Sequence, residues 1–229
     1  MNLLCGVLGV IASFSGRLDC AFPLMLAAAV FDFFDGFAAR ALKASSGIGK
    51  ELDSLADTVS FGVLPAIMLY RQMTELSGES VWCFIPLSIS VFTALRLARF
   101  NVDDRQTVNF IGLPSPANAI MCGALVDYVC RTPDSFLASW ASGTVFYPVL
   151  SIVSSLLLVC GLPMFSLKFK KGEPVSKLRV AFLVLCAAVA AAVLATGQCY
   201  SLAFLAAIPL YILANVIAAS VGTRQRHGS

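Results

Sequence analysis

The stretch Phe31–Ser60, FDFFDGFAARALKASSGIGKELDSLADTVS, contains a dense group of acidic residues within apolar sequence typical of a membrane-spanning segment. Its four aspartates are Asp32, Asp35, Asp53 and Asp57. The first two are three residues apart and the last two are four apart, so each pair shares one face of a helix. Lys43–Lys50 predicts a short polar turn between the two helices. The turn would bring the two aspartate pairs face to face.

Four carboxylates this close cannot all stay ionised in a low-dielectric setting unless cations balance them. Salt bridges or a proton path are the alternative, but Arg40 is the one arginine nearby. All-oxygen ligands suit Mg²⁺, Mn²⁺ or Ca²⁺. Aspartates from two helices can hold two such ions about 3.5–4 Å apart, as in phosphoryl transfer. Gly36 and Ala39 leave room for a bulky group, and Arg40 can bind a phosphate oxygen.

The same residues carry a resemblance to a known family. The pattern Asp32-x2-Asp35-Gly36-x2-Ala39-Arg40-x8-Gly49-x3-Asp53-x3-Asp57 resembles the signature of the CDP-alcohol phosphotransferases at every fixed position. Two further stretches, Asp53–Ala66 and Phe110–Asn118, are similar to the phosphatidylserine synthases within that family. The resemblance covers about the first 130 residues, and the remainder resembles only generic membrane helices.

The resemblance implies a reaction and a metal site. CDP-diacylglycerol would be the donor, L-serine the acceptor, and phosphatidylserine and CMP the products. Two divalent ions, Mg²⁺ or Mn²⁺, are expected. Asp32 and Asp53 would bridge the ions, with Asp35 completing one and Asp57 the other. Asp57 is also the candidate general base for the acceptor hydroxyl, and one aspartate can serve in both roles.

Two sets of binding residues follow from this resemblance and from the neighbouring sequence. The residues expected to bind CDP-diacylglycerol are Asp32, Gly36, Ala39, Arg40, Ser46 and Gly49. Those expected to bind the acceptor are Arg96, Arg99, Asn101, Ser115 and Asn118. For the two arginines the alternative is snorkelling to lipid headgroups. For the loop that contains Ser115 the alternative is a purely structural turn, because its prolines and glycine fix the backbone.

The composition excludes several other classes of protein. With 59% hydrophobic and 13% charged residues among 229, the chain reads as one integral membrane domain. Residues 1–130 are expected to form the catalytic part and residues 131–229 a scaffold. The eight cysteines show no paired spacing, which argues against a disulfide framework or a zinc site. His227 is the single histidine, so histidine chemistry is not expected, and neither is a nucleic-acid partner.

The apolar segments predict an all-α membrane bundle of about eight transmembrane helices, around a six-helix core implied by the resemblance. Most segments approach the ~20 residues that a crossing helix needs. They span about 2–15, 20–44, 51–70, 81–101, 115–130, 143–162, 178–196 and 200–221. No cleavable signal peptide is apparent. The resemblance also implies a Pro-Asn element before the first helix, so this edge of the nucleotide site is expected either to be built differently or to begin upstream.

Charge placement predicts the orientation in a bacterial-type inner or plasma membrane. An even number of spans puts both termini on one side, together with 13 of the 16 basic residues. The other side receives only Arg17, Arg71 and Arg131. By the positive-inside rule the rich side, which carries the aspartates, is cytoplasmic. Membrane lipids are the expected surroundings, and a homodimer is the expected assembly.

Two other functions stay open from the sequence. The acceptor can instead be glycerol 3-phosphate or inositol phosphate. A site that binds either of these phosphorylated acceptors is expected to contain additional basic residues. A cation transporter also uses intramembrane acids. Arg40 and Gly36 would have no role in transport. The four aspartates also cluster at one end of their helices.

Overall fold

The computed structural model describes residues 1–41, 47–102, 110–161, 163–164 and 177–226, and these are helical almost throughout. The helices, in chain order, are α1 (Asn2–Phe14), α2 (Leu18–Ala41), α3 (Gly47–Thr58), α4 (Leu64–Ser77), α5 (Ser88–Val102), α6 (Ser115–Arg131), α7 (Phe136–Ala141), α8 (Phe146–Val159), α9 (Lys177–Ala195) and α10 (Ser201–Arg226). Each predicted apolar segment contains a helix, so the all-α prediction is confirmed.

Length and apolar character identify a membrane protein. Among the described residues, three helical segments are long and apolar enough to cross a bilayer: Leu18–Ala38, Gly47–Ser77 and Val81–Val102. Four shorter apolar helices accompany them: Asn2–Phe14, Phe146–Val159, Val184–Val193 and Ser201–Asn215. The chain is therefore an all-α membrane protein.

The second long segment is not a uniform α-helix. Between α3 and α4, Val59–Val63 forms a π-helical turn, which begins two residues after Asp57. Gly62 lies closely against α5, since a Cβ there would sit 3.1 Å from Cβ of Thr93. Ser90 donates a hydrogen bond to the Gly62 carbonyl at 3.3 Å. The wider turn thus coincides with a close helix crossing, a setting in which π-turns often mark functional sites.

Three smaller features were not predicted from the sequence. The segment that leads into α5 starts as a 3-10 helix, Val81–Leu87, and α7 is a short extra helix before α8. Phe110–Ile111 pairs antiparallel with Pro163–Met164. Gly112 follows this pair at φ +78°, and a Cβ on it would lie 2.5 Å from the carbonyl oxygen of Leu158. The loop before α6 is therefore seated on the end of α8.

Helix α6 lies at the centre of the bundle. Most of its residues are buried, and its largest sets of contacts are with α10, α2 and α4. Small residues allow this close approach, as is usual between membrane helices. At Gly123, for example, a Cβ would come within 2.8 Å of the Phe22 ring on α2.

One end of the bundle is joined by a buried ion pair. Asp127 on α6 is fully buried and accepts two hydrogen bonds from Nε of Arg131, both at 2.9 Å. The Arg131 guanidinium also donates to the carbonyl of Asp19 on α2 at 3.2 Å. It lies 5.4 Å from the ring centre of Tyr200, which directly precedes α10. This group, the Arg131 staple, connects three elements at the end where α2 begins.

Candidate functional site

Three of the four predicted aspartates come together at the other end of the bundle. Asp32 is contributed by α2, and Asp53 and Asp57 by one face of α3. Each offers one carboxylate oxygen such that the three oxygens lie within 4.8 Å of one another. Asp32 and Asp57 are half-buried, whereas Asp53 is exposed. We call these three residues the carboxylate cluster.

The carboxylate cluster fits a divalent cation. Three acids at this separation repel one another strongly when ionised, and a hard cation relieves that repulsion. An all-oxygen donor set with an exposed member suits Mg²⁺, Mn²⁺ or Ca²⁺ and leaves a route for the ion to enter. Members of the family to which the signature points use divalent metals, and the donors here agree with that.

Asp35 lies outside the carboxylate cluster. Its side chain is 60% exposed, and its carboxylate is 3.8 Å from the α-amino group of Met1. It is one helical turn from Asp32, on the same helix. Its role as a ligand of a second ion therefore stays a prediction.

The predicted donor-binding residues follow the cluster along the chain. Gly36 is half-buried on α2, and Gly49 is exposed in the first turn of α3. Ala39 and Arg40 belong to the last turns of α2, although only their backbone is described. Ser46 lies outside the described residues. Their role in binding the donor stays a prediction.

The two predicted acceptor arginines have different environments. Arg96 on α5 is only 8% exposed and donates to the hydroxyl of Ser115 on α6 at 3.0 Å. Its helix packs against α3, which carries Asp53 and Asp57. Arg99, one turn later, is exposed. The structure thus brings Arg96, but not the Arg99 side chain, into the buried surroundings of the cluster.

The two predicted amides also differ. Asn118 is fully buried, and its side-chain oxygen accepts a hydrogen bond from Ser154 on α8. Its amide nitrogen has no hydrogen-bond partner among the described residues. The side-chain nitrogen of Asn101 instead donates to the Ser54 hydroxyl at 2.9 Å, and the backbone carbonyl of Asn101 accepts a hydrogen bond from Lys50 Nζ at 3.0 Å. Asn101 therefore joins the end of α5 to α3, beside Asp53.

Sequence reasoning missed Asn2. This residue is 4% exposed at the start of α1, and its amide nitrogen donates to Asp57 Oδ1 at 2.9 Å. Its signal was a single amide at the start of an otherwise apolar helix. A pattern of that kind is weak, because helix starts often carry asparagine for capping. Only the packing of α1 against the π-helical turn shows that Asn2 faces the cluster.

Comparison with known proteins agrees with this geometry. The family model described as CDP-alcohol phosphatidyltransferase matches residues 1–159, from the first residue to the end of α8. A CDP-diacylglycerol–serine O-phosphatidyltransferase of Mycobacterium tuberculosis is 35% identical over 204 residues, which cover 83% of this chain and 67% of that protein.

Two further relatives match shorter regions of the chain. The protein with the same name from Bacillus subtilis is 36% identical over 128 residues, covering 56% of this chain and 71% of that protein. An archaetidylserine synthase of Methanothermobacter thermautotrophicus is 38% identical over 122 residues, 52% of each chain. Since the family match includes every residue of the carboxylate cluster, the chain belongs to the CDP-alcohol phosphatidyltransferase family.

Proposed function

We propose that this protein transfers a phosphatidyl group from CDP-diacylglycerol to L-serine, giving phosphatidylserine and CMP. The observation that carries the proposal is the carboxylate cluster, with the buried Arg96 on α5, a helix that packs against α3. A cluster of oxygens suits a metal and a diphosphate, and a buried guanidinium suits the carboxylate of a small zwitterion. The names of the relatives from Mycobacterium tuberculosis and Bacillus subtilis support serine as the acceptor.

Asp32, Asp35, Asp53 and Asp57 would hold two ions, Mg²⁺ or Mn²⁺, in the proposed metal site. When bound, such ions would neutralise the charge that develops on the departing CMP. In the reaction the serine hydroxyl oxygen bonds to the phosphorus that carries diacylglycerol. The bond from that phosphorus to the oxygen shared with CMP breaks. Asp57 takes the hydroxyl proton.

The proposed donor site lies along the last turns of α2. Gly36 and Ala39 leave space for cytidine and ribose against the helix backbone. Arg40, with Ser46 and Gly49, is placed by the chain order to bind the diphosphate. The diacylglycerol chains would then stay among the apolar helices while the nucleotide meets the cluster.

The proposed acceptor site lies between α5 and α6. The guanidinium of Arg96 binds the serine carboxylate, and Ser115 holds that guanidinium at 3.0 Å. Asn118, one turn after Ser115, offers a buried amide nitrogen that no described residue engages. An unsatisfied buried donor is costly, and a substrate carboxylate would satisfy it. Arg99 and Asn101 would line the entrance.

For glycerol 3-phosphate or inositol phosphate, a second buried cation would be expected beside Arg96. Of the arginines that the structure describes on α5, only Arg96 is buried, which favours an acceptor with a single carboxylate. Transport is disfavoured because the acids lie near one end of the bundle, opposite the Arg131 staple.

Orientation and assembly complete the proposal. The cluster end would face the cytoplasm with both termini, because the sequence predicts most of the basic residues on that side. We further propose a homodimer, in which exposed apolar residues of α8 such as Val149, Ile152 and Leu156 meet a second copy or lipid. Mass measurement in nanodiscs distinguishes one copy from two.

The deciding experiment is an acceptor panel with purified protein. CDP-diacylglycerol and Mn²⁺ are incubated with L-serine, glycerol 3-phosphate or inositol phosphate, and CMP release is measured. We expect release with serine only, and its loss on chelation of the metal. Release with a phosphorylated acceptor instead would reassign the acceptor. No metal-dependent release with any of the three would refute the proposed reaction.

A further inference from the structure

Asn2 contacts the carboxylate cluster from a helix that carries none of its acids. Its side chain is buried, although many neighbouring residues of α1, such as Leu3 and Leu4, are exposed to the surroundings of the bundle. The amide nitrogen donates to Asp57 Oδ1 at 2.9 Å. A single hydrogen bond of this kind fixes the rotation of a carboxylate, so that its second oxygen points in one direction.

The position of Asn2 does not depend on that bond alone. Its backbone carbonyl accepts a hydrogen bond from Ser60 Oγ, in the π-helical turn, at 3.1 Å. One turn later, Gly6 lies so close to Ser60 that a Cβ on Gly6 would be 3.0 Å from its Cα. Close packing of α1 on the turn therefore holds the amide in place before any ligand arrives.

The other half of the amide is unused. Asn2 Oδ1 is buried and has no hydrogen-bond partner in the part of the chain that the structure describes. Because Oδ1 and Nδ2 share one carbon, this oxygen also lies beside Asp57. A neutral oxygen there can accept from a water on a bound cation, and it adds no charge to three acids that already repel one another.

We propose that Asn2 is a positioning residue of the carboxylate cluster: its amide nitrogen orients Asp57, and its amide oxygen supports the hydration shell of the bound cation. Residues in this position typically change metal affinity 10–100-fold when they are lost. The inference rests on the proposed function in one respect, that the cluster binds Mg²⁺ or Mn²⁺. It is independent of which acceptor reacts.

The test is Mn²⁺ affinity, measured from the EPR signal of free Mn²⁺ with detergent-solubilised full-length protein and no substrate. Asn2→Leu keeps the approximate volume and removes both polar atoms, and we expect about 10–100-fold weaker Mn²⁺ binding. Asn2→Ala is the second variant, with the same expected loss. The matched control is Ser60→Ala, which removes the bond to the Asn2 backbone and leaves the amide with Asp57. We expect it to bind Mn²⁺ within about threefold of wild type.

The outcomes separate the alternatives. Wild-type affinity in both Asn2 variants would overturn the inference, and so would equal weakening by Ser60→Ala, because a role confined to helix packing predicts that equality. If the unmodified protein binds Mn²⁺ but shows no serine-dependent CMP release, the proposed function is refuted and the inference about Asn2 is not. If it binds no Mn²⁺, the proposed function and the inference about Asn2 are both refuted.

Discussion

Asp32 and Asp53 face each other from different helices, and their carboxylate oxygens are within 4.8 Å together with that of Asp57. Their role as ligands shared by two ions stays a prediction. The sequence predicted this meeting because the spacing within each helix is fixed by the helical repeat. The sequence could not predict that Asp35 lies outside the carboxylate cluster. Asp35 differs from Asp32 by one turn along the same helix, yet its side chain is largely exposed.

Neutralising a shared ligand should abolish the reaction. We expect Asp32→Asn or Asp53→Asn to reduce CMP release to below about one hundredth of wild type at saturating Mn²⁺, since even indirect metal partners cost 10–100-fold. The control is Asp134→Asn, the same chemical change on an exposed residue in the loop before α7. Retention of a tenth or more of the activity by either cluster variant would contradict the shared-ligand assignment.

The two arginines predicted for the acceptor site, Arg96 and Arg99, differ in their burial. Arg96 is 8% exposed and bonded to Ser115, while Arg99 is exposed. Removing a buried charge partner typically costs about 2–5 kcal/mol, which is roughly thirty-fold to several-thousand-fold. We therefore expect Arg96→Gln to raise the KM for serine by at least about thirty-fold, with little change in the KM for CDP-diacylglycerol.

Arg99→Gln is the comparison for this measurement, because it removes the same group from the exposed entrance one turn along α5, where solvent weakens any contact with serine. Steady-state kinetics with each substrate varied in turn should show a small effect on both constants. An unchanged KM for serine in Arg96→Gln would remove Arg96 from the acceptor site. The loop around Ser115 would then be the next candidate.

At the scale of the elements, the apolar segments located every major helix. They did not reveal the π-helical turn at Val59–Val63, which coincides with a close tertiary contact between Gly62 and α5. The same limit applies to Asn2, whose role depends on how α1 packs against that turn. Local patterns determine which segments are helical. The crossings between helices determine which side chains meet, and a single sequence does not display them.

The crossing of α1 over the π-helical turn gives a prediction at this scale. A methyl group at Gly6 would come 3.0 Å from Cα of Ser60, so Gly6→Ala should push α1 outward. Overpacking of this kind costs about 1–3 kcal/mol. We expect a lower melting temperature and weaker Mn²⁺ binding, since Asn2 moves with the helix.

Gly47→Ala is the comparison for Gly6→Ala. Among the residues that the structure describes, none lies within 4 Å of a Cβ at Gly47, at the start of α3, and alanine favours a helix over glycine. Its melting temperature in detergent should equal or exceed that of wild type. Equal stability and equal Mn²⁺ affinity in Gly6→Ala and Gly47→Ala would show that α1 does not position the cluster.

Across the whole molecule, the carboxylate cluster and the Arg131 staple lie at opposite ends of the bundle. Asp19 and Asp32 are both on α2, and at 1.5 Å per residue they are about 20 Å apart. One end has an exposed carboxylate, Asp53, whereas the other holds the fully buried carboxylate of Asp127. We infer that the staple supports the fold and takes no part in the reaction.

Loss of the staple should therefore reduce stability and leave the reaction intact. Arg131→Ala leaves the fully buried Asp127 without its cation, and we expect the free energy of unfolding to fall by about 3–5 kcal/mol. The control is Arg71→Ala, which breaks a pair of the same spacing whose acid, Glu75, is 42% exposed and stays solvated. That loss should be at most about 0.5 kcal/mol. Below the melting transition, both variants should keep wild-type KM values for serine and CDP-diacylglycerol. A changed KM for serine in Arg131→Ala alone would show that the two ends are coupled through α6.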